Sequence, residues 1–176
     1  MEQFDSTQIQ KIVESVLSGM GSSAAAAAVP ATSSQTPCDM TLELAKTVIE
    51  AVEKKAAEIG VKAVIAISNR GANPVAVHCM DDSYIASYDI AFQKAYTVAA
   101  LKMPTTTLKE LSQPGGPLYG IQHTNNGRIV IFGGGEPLEA GGVVIGGIGV
   151  SGGSEEQDTF LGQYGKKIFK EAIANI

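Results

Sequence analysis

Tryptophan is absent from the 176 residues, histidine and cysteine occur twice each, and arginine stands only at Arg70 and Arg128. With a net charge of −5, the chain lacks the cationic surface that binding a nucleic-acid backbone or an anionic membrane requires. Cys38 and Cys79 form no C-x-x-C and no zinc spacing. A disulfide scaffold and a structural zinc site are therefore excluded, and a reduced, cytoplasmic setting is expected. No apolar run reaches the length of a membrane-spanning helix. The N-terminus lacks the basic-then-apolar order of a secretory signal. No Gly-x-x-x-x-Gly-Lys-Ser/Thr occurs, and the glycine clusters lack a parallel β-α-β setting, so neither a phosphate loop nor a dinucleotide fold is encoded. No Ser-His-Asp or Cys-His order suggests covalent catalysis. His78 and Cys79 are neighbours on one strand and point to opposite faces. A non-catalytic protein is the leading expectation.

Glycine, by contrast, is abundant, with 20 residues, many of them in Gly133–Asp158. There Val143, Val144, Ile145, Ile148 and Val150 have the β-branched content of a buried strand, interrupted by Gly146, Gly147 and Gly149. Glycine weakens a strand, so its presence points to close approach of a backbone or flat ligand, or to a bulge. A tight hairpin feeding the last helix is the plainer alternative. Ser154 then caps a helix whose first turn carries Glu155, Glu156 and Asp158.

Residues 1–20 are expected to form an amphipathic helix, with Ile9, Ile12, Val13, Val16 and Leu17 on one face. Residues 21–38, rich in Gly, Ser, Ala, Thr and Pro, read as a flexible linker. Residues 39–176 form the domain proper. Asp39 or Thr41 opens a helix with Leu42, Ala45, Ile49, Val52, Ala56 and Ile59 on its apolar face, ended by Gly60. Strands over Val61–Ser68 and Val75–Met80 make a hairpin, with Gly71 and Asn73 suited to positive φ in its turn. A long helix follows over Tyr84–Lys102, then a short one over Thr105–Gln113. Strands are expected over Gly127–Phe132 and Gly142–Val150, and a closing helix over Glu155–Ile173. Hairpins in place of crossovers imply an α/β (α+β) fold with a mainly antiparallel sheet of about five strands, flanked by helices.

The segments PVAVHCMDDSYIASYDIAFQKAYTVAAL and IVIFGGGEPLEAGGVVIGGIGVSGG, followed by EEQD, resemble the GlcG/HbpS-like family, which includes the C-terminal domain of PduO-type cobalamin adenosyltransferases. The resemblance covers about residues 40–176. It implies a profilin-like sandwich, a homo-oligomer (tetramer or octamer) and haem as a cofactor bound by several members. The adenosyltransferase domain of PduO has no counterpart here. Residues 1–38 resemble encapsulation peptides of bacterial microcompartments. That implies a shell protein as partner and the compartment lumen as location.

Candidate ligand-binding residues follow from both readings. His78 and His123 could each ligate haem iron through imidazole. A half-buried strand histidine and an exposed loop histidine are the structural alternatives. Lys94 or Arg128 could meet a propionate, and Asp89 shares the helix of Lys94 without sharing its face. Tyr84, Tyr88, Tyr96 and Tyr119 could line a pocket or belong to the core. Glu136 and Glu139 could pair as carboxylates or stand as solvated loop acids. The expected pocket lies between Gly133, Gly134 and Gly135, the room left over Gly147 and Gly149, and the helix bearing Lys94. Three functions remain open: a haem or tetrapyrrole binder carried into a microcompartment, a factor or enzyme handling a small metabolite or corrinoid, and a structural cargo protein.

Overall fold

The computed structural model describes residues 39–175 together with Thr7, Gln10 and Lys11. The amphipathic stripe and linker expected over residues 1–38 lie otherwise outside the described residues. The chain divides into two units, Met1–Ser33 and Ser34–Ile176; the second contains every element below.

Helix α1 runs over Leu42–Glu58, and Thr41 is its N-cap, accepting from the Leu44 N–H at 3.2 Å. It buries Leu44, Ala45, Val48, Ile49, Val52 and Ala56. Leu42 and Ile59, expected on that stripe, are exposed. Strand β1 (Val64–Asn69) turns back into β2 (Pro74–Cys79), antiparallel, through a loop in which the Asn69 side chain accepts from the N–H groups of Gly71 and Asn73. Positive φ falls on Ala72, at 59°, and not on Gly71 or Asn73. The Asn69 carboxamide fixes the residues on either side of Ala72, and the left-handed step is left to it.

Helix α2 (Ile85–Leu101) and the short α3 (Thr105–Leu111) follow. Strands β3 (Gly135–Ala140) and β4 (Val143–Ser151) then form a hairpin, and α4 (Glu155–Ile173) closes the chain. Ser154 caps α4 in a reciprocal capping box with Gln157.

The sheet is antiparallel with order β2-β1-β4-β3, four strands where about five were expected. The Gly127–Phe132 segment is not a strand. Its Val130 N–H donates to Thr97 Oγ1 at 3.0 Å, so it is anchored to α2 outside the sheet ladder. The fourth strand is Gly135–Ala140, within the stretch expected to be a glycine loop. Pro137 is tolerated there because β3 is a sheet edge, where a missing N–H breaks no ladder.

Alternation sorts the two faces. Ile65, Ile67, Ile148 and Val150 meet α1 and α4 in the larger core, with Leu161 and Phe169. Val64 and Ala66 meet Ala91 and Ala95 of α2 in a smaller one. The result is a helix–sheet–helix sandwich.

Candidate functional site

Gly147 and Gly149 of β4 face α2 and are covered by it, whereas Gly146 faces the Ser68 carbonyl and Met40. A Cβ at Gly149 would run into the Ala91 carbonyl oxygen and stand 2.6 Å from the Ala95 nitrogen. One at Gly147 would meet Val98 and stand 2.6 Å from the Ala95 oxygen. The expected room over this strand is therefore absent. The glycines let a helix backbone approach the sheet, the alternative that glycine in a strand always carries. A side chain at Gly147 would disturb packing before it could obstruct a ligand.

Lys94 is likewise enclosed. Its side chain has no solvent exposure; Nζ donates to the Val150 carbonyl at 2.7 Å and to Asp158 Oδ2 at 3.0 Å. It also lies 4.7 Å from the centroid of the Phe132 ring. Asp158 accepts in addition from the Gly153 N–H at 2.9 Å. Burial pushes the lysine down from its ordinary pKa, against the pull of Asp158, and pushes the Asp158 carboxyl up, against the pull of Lys94. The pair ties α2, β4 and α4 together. With no exposed surface and its ammonium committed to the Val150 carbonyl, Asp158 and the Phe132 face, Lys94 is out of reach of a propionate, which corrects its expected role.

Gly133, Gly134 and Gly135 belong to the same knot. The Gly133 N–H donates to Glu155 Oε1 and the Gly135 N–H to Thr105 Oγ1, both at 2.8–2.9 Å. Gly134 has φ of 107°, with the Lys94 ammonium 2.7 Å from where its Cβ would stand. Glu155 also pairs with Lys109, and these contacts hold its carboxyl below the usual range. A cleft of about 300 Å³ opens at the edge of this knot. Its floor holds Asp158 and the buried Ser87 and Ser151 hydroxyls, 3.1 Å apart. Tyr84, Ile90 and Phe132 form its apolar wall.

A larger cleft, about 680 Å³, lies between the last turns of α1 and the end of β2. Ala57, Val61 and Met80 supply apolar surface; Glu53, Asp81, Lys54 and Lys62 bring charge of both signs. His78 adjoins it. Its Nδ1 is 2.9 Å from Glu53 Oε1, with the ring about one-third exposed. Nε2 has no hydrogen-bond partner among the described residues. A carboxylate on one ring nitrogen is what orients a metal-binding imidazole and raises its basicity at the other. Cys79, next to it, is an exposed free thiol. Among the described residues no three His, Cys, Asp or Glu side chains gather as a metal cluster.

The other candidates are dispersed. His123 is exposed in a short 3₁₀ turn over Ile121–His123, near Gln122. Asp89 is exposed on α2, facing away from Lys94, as the five-residue spacing implies. Arg128 stacks 3.6 Å above the Tyr96 ring and donates through Nε to Gln93 Oε1 at 3.2 Å. Tyr84, Tyr88 and Tyr119 are exposed, so none is core. Glu136 is buried on β3 and paired with Lys166 at 3.0 Å, while Glu139 is exposed, so they form no carboxylate pair. Glu53 and Asp158 gained no binding role from the sequence. The available signals were the position of Glu53 beside the apolar stripe of α1 and a lone lysine on the buried face of α2, which calls for an acid.

A four-stranded antiparallel sheet between helices, closed by a glycine-to-helix contact, defines the class as an α/β sandwich. Residues 40–166 match the family model described as haem degrading protein HbpS-like, and the chain belongs to that family. It is 45% identical over 138 residues to a 15.0 kDa protein of the dhaT–dhaS intergenic region of Citrobacter freundii, covering 78% of this chain and 97% of that protein. It is 34% identical to the corrinoid adenosyltransferase PduO of Salmonella typhimurium, over 79% of this chain and 41% of that enzyme's length. The chain thus spans less than half of PduO. A crystal structure of a PduOC–haem complex superposes with a TM-score of 0.71 at 32% identity, covering 74% of this chain and 94% of that one.

Proposed function

We propose that the chain is a haem-binding accessory protein, taking the tetrapyrrole in the cleft between α1 and β2 and its iron on Nε2 of His78. The observation that carries this is the Glu53–His78 contact at 2.9 Å beside an apolar cleft of about 680 Å³. The donor set suits the group. Glu53 orients the ring and leaves one nitrogen for iron; Ala57, Val61 and Met80 offer apolar surface; Lys54 is a cation for a carboxylate, while Lys62 is paired with Asp82 at 2.7 Å. Each Å² of apolar surface buried there would contribute about 25 cal/mol. A bound haem would supply a redox-active iron; the protein holds, orients and shields it. Membership of a family described by haem degradation and likeness to a haem complex support the reading. Haemin titration of the wild type should give a saturable Soret shift, and Ala57→Trp, which places an indole in the cleft, should weaken or abolish it. A wild type without a saturable shift would overturn the haem assignment.

A second reading rests on the smaller cleft, whose serine and aspartate floor under an apolar wall suits a small neutral metabolite. It gains ground if haemin fails and a small polar compound protects the fold against heat. The chain is further proposed to work as a homo-oligomer (tetramer or octamer) and as cytoplasmic cargo of a microcompartment, with residues 1–20 docking on a shell protein. The motive is the amphipathic pattern joined to a linker of Gly, Ser, Ala and Pro. A reporter fused to residues 1–38 should enter shells, and replacing Ile12 and Leu17 by Glu should prevent it. Among the described residues no helix is long and apolar enough to cross a membrane.

A further inference from the structure

We propose that the outer face of α2 packs against the same face of a second copy of this chain, antiparallel about a two-fold axis near Phe92. This surface stands independently of the haem reading and specifies which face self-association uses.

Ile85 opens α2 and is 98% exposed, and Tyr88, one turn on, is 54% exposed. Phe92 and Tyr96 continue the row at helical spacing and are half-buried. The opposite side of the helix, with Ala91, Ala95 and Val98, is spent on the sheet. Two helices, α1 and α4, pack on one face of the sheet, whereas on the other β2 is left with Val77 half-buried beside Phe92. An aliphatic side chain in open water beside a row of aromatics is the surface that association removes from solvent.

Charge selects a second copy as the occupant. The face carries an exposed carboxylate, Asp89, and a guanidinium, Arg128, held over Tyr96 by stacking; Gln93 stands between them, accepting from Arg128 and donating to Asp89 at 3.4 Å. In an antiparallel pair centred on Phe92, a residue three or four positions before the axis meets one three or four positions after it. Asp89 of one copy then faces Tyr96 and its stacked Arg128 on the other, and symmetry repeats the contact. Ile85 meets the far end of the partner helix, where Ala100 is small and exposed. The surface is thus complementary to itself in sign.

The experiment is sedimentation equilibrium on the full chain at micromolar concentration, on wild type, Ile85→Lys, Asp89→Arg, Arg128→Glu and the Asp89→Arg/Arg128→Glu pair. The wild type should be at least dimeric, and Ile85→Lys should reduce the assembly to half its mass or less. Each single charge reversal should weaken association about tenfold or more, and the double reversal should restore it. Circular dichroism should show all five folded. A monomeric wild type, an Ile85→Lys variant of unchanged mass, or a double reversal no tighter than the singles would each overturn the proposal. Haemin binding followed on the same samples separates this outcome from the fate of the haem site.

Discussion

Neighbouring residues of β4 meet two different kinds of interior. Ile148 and Val150 point toward α1 and α4 into a thick aliphatic layer, filled by Leu161, Phe169 and the stripe of α1. Gly147 and Gly149 point toward α2, where a helix backbone lies directly on the strand and a buried ion pair replaces aliphatic side chains. One face is held by volume and the other by proximity. Glycine on a strand can therefore mark a helix contact as readily as a ligand, and the open clefts lie elsewhere, at the ends of α1 and α2.

The contrast is broken most severely at the ion pair. Asp158→Ala leaves an unpaired ammonium in the interior and should cost about 3–5 kcal/mol in urea unfolding. Lys94→Met with Asp158→Leu should lose less than the two single changes combined, since neither charge is then stranded. Gly149→Ala comes next, at about 3 kcal/mol, the upper part of the overpacking range, because the obstacle is backbone. On the other face, removing one methyl with Ile148→Val should cost only about 1 kcal/mol. A Gly149→Ala variant as stable as Ile148→Val would erase the distinction between the faces.

The smallest effect depends on pH. Glu155 has its carboxyl held low by Lys109 and the Gly133 N–H. Its folded pKa lies below the unfolded one, so the unfolded state binds more protons in between. Its contribution is therefore full above the ordinary glutamate range and is lost as pH falls through the folded value. Glu155→Gln should flatten that acid limb and cost about 1 kcal/mol at neutral pH. Asp158 has the opposite sign: its raised pKa makes stability fall as pH rises through the window above the ordinary aspartate value. Thermal midpoints from pH 3 to 8 on Glu155→Gln and on the Lys94→Met/Asp158→Leu variant separate the two.

Much of the fold was legible locally. Ser154, the acids after it and the apolar spacing placed α4 over Glu155–Ile173, as found. Of the two cap candidates, Asp39 and Thr41, the structure uses Thr41, and the expected hairpin is found with β1 beginning at Val64 where Val61 was expected. The error lay at Gly127–Ala140, where the apolar run Ile129–Phe132 looks like a strand and GGGEPLEA looks like a loop. Ladder pairing is decided by the neighbour, and β4 takes Gly135–Ala140. The site was less legible for a related reason. Lys94 and Asp158 are 64 positions apart and Glu53 and His78 are 25 apart. Only the register of the sheet and the placing of helices on it bring such pairs together. The glycines announced a close approach without naming what approaches.

The most direct test of the central claim, that ligand binding belongs to the α1–β2 cleft and not to the strand of glycines, is the absorbance spectrum of haemin bound to wild type, His78→Ala and His123→Ala. His78→Ala should lose no more than about 1 kcal/mol of folding stability, because the Glu53 contact is partly exposed. It should nonetheless lose the histidine-ligated Soret position and bind haemin at least about tenfold more weakly. His123→Ala should match the wild type. A His78→Ala variant with unchanged spectrum and affinity would contradict the assignment.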